Sequence, residues 1–238
     1  MTGILGRVHA TMHPSIRSRK KALATYLPPN PVIVEAGAHD GTDTADFARL
    51  WPGGRVYAFE PVPVLFERLQ STTAGLTNVT CFPVALANEN GIATLHVSGG
   101  ESDGSSSLLR PTGHLEDHPG VTFEFDLQVP TITLDTWLNG DRRRRPDLLW
   151  LDLQGAEYAV LSASPRSLAA ASAVYCEVSL HESYAGGALY STLRAFMESA
   201  GFLVAREELF WKDGGNVLFV RGRVVDTRPA EPPPTGAH

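Results

Sequence analysis

The chain has 238 residues, a length that suits one medium-sized domain with a hydrophobic core of its own. Hydrophobic residues make up 43% of it and charged residues 19%, and no apolar stretch approaches a membrane span, so the composition predicts a soluble globular protein without a membrane partner. The net charge of −6 argues against a nucleic-acid partner, because phosphate binding needs a basic surface.

The N-terminal segment and the cysteines indicate the compartment. The first residues contain no apolar run like that of a signal peptide. Cys81 and Cys176 both lie within strand-like runs, and we expect two buried free thiols rather than a disulfide. These features predict a cytoplasmic protein. The basic run from Arg142 to Arg145 is typical of a solvated loop more than of an anion site.

We divide the chain into three parts. Residues 1–30 form a basic lead-in with a predicted helix from Ile16 to Leu27, which Pro28 and Pro29 end. Residues 31–224 form the main domain. Residues 225–238 are rich in proline, and we expect them to be disordered.

The segment 31–63 predicts a strand, a helix and a second strand. The first strand ends in Glu35 and a turn from Gly37 to Gly41, and the second ends in Glu60. Glu60 falls about twenty residues after the glycine turn, where a βαβ nucleotide fold places the carboxylate that binds ribose hydroxyls. This unit therefore predicts a cofactor that contains a nucleoside.

The rest of the chain alternates between strand and helix patterns, with one interruption. The interruption spans about 92–134 and contains β-like segments and a polar loop. The other expected elements are a helix after Pro63, a strand over 78–84, a turn over 85–91, strands over 148–153 and 173–178, helices over 155–161 and 189–200, and a hairpin over 202–221.

These elements predict an α/β fold. Five strands of the βα type and a terminal hairpin fit a doubly wound, mostly parallel sheet that carries an antiparallel strand. The insertion of about 92–134 is then expected above the carboxyl ends of the strands, where ligands bind in such sheets. It would form a lid or a wall of the substrate site.

The glycine turn also favours one kind of cofactor. Ala36, Ala38 and His39 interrupt the glycine pattern that cradles a pyrophosphate, and Glu35 would repel a phosphate. A cofactor with a cationic amino-acid end and no phosphate suits these residues better, which favours S-adenosylmethionine over NAD. An NAD-dependent oxidoreductase and a catalytically silent cofactor-binding protein remain as alternatives.

Five motifs, in this order, resemble the FkbM family of S-adenosylmethionine-dependent methyltransferases. The resemblance covers roughly Pro31 to Arg221 and implies a class I, Rossmann-like methyltransferase fold with a seven-stranded sheet. It also implies methyl transfer to a hydroxyl of a saccharide or secondary metabolite. The motifs are Val34 to Gly41, Ala58 to Pro63, Gly104 to Leu109, Thr133 to Asp135, and Leu151 to Glu157.

The same resemblance implies cofactor-binding residues. The amino-acid end of the cofactor is expected to lie against Glu35, Gly37, Ala38, His39 and Gly41, and the ribose against Glu60 and Pro61. The adenine is expected beside Ala85 and Leu86, and the methyl group beside Asp152. Ser106 is expected to line the cofactor or the substrate.

Three residues are candidates for catalysis. Asp152 ends a central strand beside the expected methyl group, and Glu177 ends the neighbouring one. The two acids could share a Mg²⁺ ion or act as unlinked carboxylates. An alcohol must lose its proton as it attacks, and His181 is the side chain suited to accept it at neutral pH, with His39 as second choice.

The acceptor is expected to be a small molecule or a saccharide. After the strand that ends in Asp152, the chain lacks the Asn/Asp-Pro-Pro-aromatic element with which methyltransferases act on the amines of nucleobases. The exposed insertion could also serve as the interface of a homodimer.

Overall fold

The computed structural model of the chain describes residues 20–139, 141 and 145–222. The first residues of the predicted helix from Ile16 to Leu27 lie outside this part, and within it the segment contains a 3₁₀ turn at Leu23–Thr25. Arg142 to Arg144 and the proline-rich tail also lie outside the described residues. No helix of the described part is long and apolar enough to cross a membrane.

After the 3₁₀ turn, ten strands and seven helices follow one another in the described part of the chain. The strands are β1 (Val32–Ala36), β2 (Arg55–Phe59), β3 (Val79–Phe82), β4 (Ala85–Leu86), β5 (Gly91–Gly100), β6 (Val121–Ile132), β7 (Leu148–Leu151), β8 (Ala173–Ser179), β9 (Phe202–Glu208) and β10 (Gly214–Arg221). The helices are α1 (Thr42–Leu50), α2 (Pro63–Thr72), α3 (Gly113–Asp117), α4 (Leu134–Leu138), α5 (Glu157–Ser162), α6 (Pro165–Ala170) and α7 (Tyr190–Ser199).

The main sheet has seven strands in the order β3-β2-β1-β7-β8-β10-β9. β10 is antiparallel to both β8 and β9, whereas the pairs from β3 to β8 are parallel. The predicted doubly wound, mostly parallel sheet with an antiparallel strand from the terminal hairpin is therefore confirmed.

Alternate residues of the central strands pack on opposite faces of this sheet. Val34 and Leu149 belong to one buried cluster, and their neighbours Ile33 and Leu148 belong to another on the opposite face. Both faces are covered, which explains why β7 is a continuous apolar run rather than an alternating one. Both cysteines are free, as predicted; Cys176 is buried, whereas Cys81 is only half-buried and not buried as expected.

The order of the strands creates a crevice beside β1. The chain runs outward from β1 to β2 on one side and returns to β7 on the other, and ligands bind at such a switch point. Ala36 pairs with Phe59 on β2 and with Leu151 on β7. The residues that directly follow these three, Gly37, Glu60 and Asp152, therefore meet at one edge of the sheet.

The insertion forms a small sheet of its own, in the order β4-β6-β5. The turn predicted over 85–91 contains strand β4, and the β-like pattern of the insertion after Val121 forms one strand that continues through Pro130. Proline is tolerated here because β4 pairs only with Thr131 and Ile132, so the missing N–H breaks no bond on that side.

Replacement of Gly37 by alanine should destabilise the fold strongly. Gly37 has φ +76°, and a Cβ there would lie 2.0 Å from the Asp152 carbonyl oxygen. Gly75 has φ +81° and no atom within 4 Å of its ideal Cβ, so Gly75→Ala is a control that carries only the cost of the backbone conformation. We expect about 1–2 kcal/mol of lost stability for Gly75→Ala and at least about 2 kcal/mol more for Gly37→Ala.

Urea unfolding of the two variants beside the wild type measures this difference. Equal losses in the free energy of unfolding would show that the close approach of Gly37 to Asp152 does not contribute to the packing of β1 against β7.

Candidate active site

A cavity of about 300 Å³ opens at the carboxyl ends of β1, β2 and β7, and we call it the donor cavity. Most of the residues that the sequence assigns to the cofactor line it, and Asp103, Asp40 and Trp150 line it without having been assigned. The assigned residues that the structure brings together here are Glu35, Gly37, Ala38, His39, Glu60, Pro61, Ala85, Leu86, Ser106 and Asp152.

Gly41 is not among the residues that line the donor cavity. It precedes α1 with φ +81°, and a Cβ there would lie 2.7 Å from Cδ1 of Leu69. Gly41 therefore allows α1 and α2 to pack closely, and its position in the glycine turn has a structural reason.

Glu60 is held by the backbone on both carboxylate oxygens. The Val62 N–H donates to Oε1 (2.8 Å) and the His39 N–H donates to Oε2 (2.9 Å). Burial raises the pKa of Glu60 to about 7, although these two hydrogen bonds act in the opposite direction. Each oxygen keeps a second lone pair, so the carboxylate can still accept two hydroxyl groups.

Glu35 lies deeper, with its side chain almost fully buried. The Thr44 hydroxyl donates to its Oε2 (2.6 Å). Burial, followed by the negative charge of Asp43, raises the pKa of Glu35 to about 8. A carboxyl group of this kind is stabilised in its ionised form by a nearby cation.

The turn after β7 is held by Glu157, whose role was not predicted. Its two oxygens accept from the Leu153 N–H (2.7 Å) and the Gly155 N–H (3.1 Å). Gln154 and Gly155 have φ values of +51° and +96°, an unusual conformation for the former. The sequence signal was an acid two residues after a glycine, at the start of a helix.

Asp152, Gln154 and Glu177 form one hydrogen-bonded group. The Gln154 side-chain amide donates to Asp152 Oδ1 (2.7 Å) and to Glu177 Oε2 (2.6 Å). The Tyr184 hydroxyl donates to Gln154 Oε1 (2.9 Å), which orients the amide. Burial, and then the charge of Asp152, raises the pKa of Glu177 well above its usual range. Burial also raises the pKa of Asp152, while the hydrogen bond from Gln154 acts in the opposite direction. Glu177 is therefore the acid of the two that holds a proton more tightly.

Nothing in the described structure supports the predicted Mg²⁺ ion. The described part of the chain contains no group of three or more His, Cys, Asp or Glu side chains that could hold a metal. The Gln154 amide donates to one oxygen of Asp152 and one of Glu177, so these two oxygens face N–H groups rather than a cation. Nothing in this arrangement supports a metal shared by the two acids.

The structure does not bring His181 to Asp152. His181 Nε2 lies 2.6 Å from Asp117 Oδ2, and the residue lines neither the donor cavity nor the cavity next to it. The Leu180 N–H donates to the Asp213 carbonyl (2.7 Å), so the chain after β8 follows the hairpin before it reaches His181. His39 does line the donor cavity, and its Nε2 lies 2.8 Å from Asp103 Oδ1.

A second cavity of about 320 Å³ adjoins the donor cavity, and we call it the acceptor cavity. Asp152 and Gly104 line both. Its other walls come from the insertion, the loop after β8 and the β9–β10 hairpin. Among the side chains that line it, the sequence analysis missed Tyr184, whose hydroxyl also lies 2.9 Å from the Ser105 carbonyl oxygen.

The loop after β5 contributes residues to both cavities. Asp103 in this loop lies 2.8 Å from the His39 ring and accepts from Arg68 (3.0 Å). The Ser107 hydroxyl donates to the Gln154 carbonyl (2.8 Å). The loop is thus fastened to α2 and to the turns after β1 and β7, and it forms one wall of each cavity.

Two solved structures support the fold. A methyltransferase FkbM from Methylobacillus flagellatus KT superposes with a TM-score of 0.51 at 14% identity, over 81% of this chain and 44% of that one. Magnesium protoporphyrin IX methyltransferase from Synechocystis PCC 6803, solved with bound S-adenosylmethionine, superposes with a TM-score of 0.50 at 12% identity. The superposition covers 87% of this chain and 77% of that one. The predicted class I methyltransferase fold is confirmed.

Sequence relatives extend the likeness. The chain is 31% identical over 177 residues to the 2-O-methyltransferase NoeI of Sinorhizobium fredii, a match that covers 72% of this chain and 73% of NoeI. Methyltransferase sdnD of Sordaria araneosa is 25% identical over 215 residues, 78% of each chain. Residues 35–204 match the model of the methyltransferase FkbM domain. The chain therefore belongs to the FkbM family of methyltransferases.

Proposed function

We propose that this protein transfers a methyl group from S-adenosylmethionine in the donor cavity to a hydroxyl of a small-molecule acceptor in the acceptor cavity. The observation that carries the proposal is that the two cavities meet at Asp152, a carboxylate hydrogen-bonded within the Gln154–Glu177 group. S-adenosylmethionine supplies an electrophilic methyl group on a sulfonium. The protein must bind it, orient the acceptor and remove a proton.

The charge of the donor cavity fits this cofactor and disfavours NAD. Six carboxyl groups line the cavity, and no lysine or arginine is among the described residues that do so. Such a lining repels a pyrophosphate and attracts an ammonium group and a sulfonium. The six are Glu35, Asp40, Asp43, Glu60, Asp103 and Asp152.

Separate residues suit the separate parts of the cofactor. Glu60, with both oxygens fixed by backbone N–H groups, has the remaining lone pairs for the two ribose hydroxyls. Glu35 and the turn after it suit the amino-acid end, because a cation there offsets the cost of an ionised Glu35. Leu86 and Val84 give an apolar wall for the adenine.

Asp152 is suited to accept the proton of the acceptor hydroxyl. The acceptor oxygen forms a bond to the methyl carbon as the carbon–sulfur bond breaks, and the hydroxyl proton passes to Asp152. Glu177 holds its proton more tightly than Asp152 does, so Asp152 is the acid of the group that is available to accept the hydroxyl proton. Oxygen as the methylated atom is also supported by the likeness to a protein named a 2-O-methyltransferase.

Glu60→Gln should weaken cofactor binding by one to two orders of magnitude. The change removes a charged acceptor of two hydrogen bonds and keeps the shape, and a hydrogen bond to a charged group contributes about 1.5–3 kcal/mol. Titration calorimetry with S-adenosylhomocysteine measures the effect. An unchanged affinity would exclude Glu60 from the ribose site.

The same titration should depend on pH more strongly in the wild type than in Glu60→Gln. The pKa of Glu60 is raised to about 7, so the carboxylate becomes protonated as the pH falls through 7. We expect the affinity of the wild type to decrease from pH 8 to pH 6 and that of Glu60→Gln to change less over this range. Parallel pH profiles would show that another group controls binding.

Asp152→Asn should lower kcat by about 10²–10⁴-fold, the range for loss of a general base. The affinity for S-adenosylhomocysteine should change only a few-fold, because the amide keeps the shape of the carboxylate and Glu60 is unaltered. Single-turnover assays beside the calorimetry separate the two effects. A kcat within a few-fold of the wild type would exclude Asp152 as the proton acceptor.

Activity should be unchanged by metal chelation. The Gln154 amide satisfies an oxygen of each carboxyl group, so proton removal at Asp152 needs no cation. The test is turnover after dialysis against EDTA, with and without added Mg²⁺. Loss of turnover in EDTA and its recovery with Mg²⁺ would contradict the metal-free scheme and restore the predicted metal at Asp152 and Glu177.

A further inference from the structure

One wall of the acceptor cavity is built from the β9–β10 hairpin and helix α3. The Asp213 carbonyl accepts from the Leu180 N–H (2.7 Å), and a Cβ on Gly214 would lie 2.1 Å from the Val178 carbonyl oxygen. The start of β10 is therefore held tightly against the end of β8. This contact fixes the position of the Asp213 backbone in the cavity wall.

Asp213 pairs with a histidine from the opposite element of this wall. His118 Nε2 lies 2.9 Å from Asp213 Oδ2, and both residues line the cavity. Asp213 is largely buried, whereas His118 is partly exposed. The pair offers a carboxylate oxygen that is not used by the histidine, and it can accept a hydroxyl from a ligand.

A neighbouring imidazole lacks a partner. His114 lines the cavity and is 7% exposed, and its Nε2 has no hydrogen-bond partner among the described residues. Its ring lies 4.6 Å from that of His118 and 5.1 Å from that of Tyr184. Burial, and then the charge of His118, lowers the pKa of His114 and keeps the ring neutral. A buried nitrogen of this kind is stabilised when a ligand supplies a hydrogen bond.

Trp211 adds an aromatic surface to the same wall. It is 48% exposed, whereas the other three tryptophans of the chain, Trp51, Trp137 and Trp150, are buried. Trp211 lines the acceptor cavity, and most other side chains there are polar. One aromatic face beside many hydrogen-bonding groups suits a ring with apolar C–H faces and hydroxyls at its rim more than it suits a flat phenol.

We propose that Trp211, His118 and Asp213 form the subsite that holds the acceptor, which is a polyhydroxylated six-membered ring. Trp211 stacks on the C–H face of the ring, and the Asp213–His118 pair binds a hydroxyl other than the one that is methylated. The reacting hydroxyl is thereby presented to Asp152. This inference rests on the proposed methyl transfer and assigns the residues that select the acceptor.

Tryptophan fluorescence tests binding without catalysis. The probes are methyl glycosides of the common hexoses and 6-deoxyhexoses, added to the enzyme saturated with S-adenosylhomocysteine. At least one of them should change the emission of the wild type, and Trp211→Phe should lose that change because the other tryptophans are buried. A catechol at equal concentration should have less effect. If no glycoside alters the emission, or if Trp211→Phe retains the change, the subsite is overturned.

Kinetics with the glycoside that binds best test selection. Trp211→Ala and Asp213→Asn should each raise KM for the glycoside by about tenfold, with kcat within about twofold and unchanged affinity for S-adenosylhomocysteine. Phe125→Ala and Asp126→Asn are matched controls, since Phe125 is an exposed aromatic and Asp126 pairs with His96 at 2.7 Å, and neither lines the donor cavity or the acceptor cavity. The controls should leave KM unchanged.

These experiments distinguish an incorrect subsite from an incorrect proposed function. Methylation of a glycoside with KM unaffected by Trp211→Ala and Asp213→Asn overturns the subsite and leaves the function intact. A fluorescence change that depends on Trp211, without methylation of any glycoside, supports the subsite and overturns the proposed transfer. Equal increases in KM for the variants and their controls would also overturn the subsite, because they would show a general loss of structure.

Discussion

The approach of the Gly37 backbone to the Asp152 carbonyl sets the geometry on which the site depends. The Asp152 N–H donates to the Ala36 carbonyl (3.0 Å), and the Gly37 N–H donates to the Phe59 carbonyl (3.1 Å). These bonds join the ends of β7, β1 and β2, and only a residue without a Cβ permits such a short approach. Glu60 and Asp152, to which we assign the ribose and the hydroxyl proton, are thus positioned by backbone hydrogen bonds between the ends of their strands.

The junction of the carboxyl ends of β1, β2 and β7 brings several acidic side chains together. Glu35, Glu60 and Glu157 are all buried there, and burial raises the pKa of each of them, to about 8 for Glu35 and about 7 for the other two. Backbone N–H groups donate to Glu60 and Glu157, and a hydroxyl donates to Glu35, so that each acid has a partner although none forms an ion pair in the described structure. The free-energy cost of ionising these buried acids is lowest when a cation is bound beside them. A cationic cofactor therefore stabilises the fold and the site through the same interaction.

The sequence predicted those parts of the site that lie directly after a buried strand. Glu60 and Asp152 could be placed because the carboxyl ends of parallel strands meet at one edge of the sheet. His181 could not, because its position depends on the path of a loop, and that path is set by a backbone bond to Asp213, distant in the chain. Strand β4 was missed for a similar reason: a two-residue strand has no periodicity, and it exists only because β6 is beside it.

The loop after β5, which belongs to the insertion, lines both cavities, and the strand patterns of the sequence do not predict this. Its residues line both cavities, and its contacts reach the turn after β1 through His39 and the turn after β7 through the Gln154 carbonyl. The loop therefore forms one wall of the donor cavity and one wall of the acceptor cavity. The wall of the acceptor cavity that contains Trp211 and Asp213, by contrast, is attached to the paired strands β8 and β10. In the proposed scheme, the insertion therefore contributes to both cavities, whereas the residues that we assign to acceptor recognition depend on the main sheet.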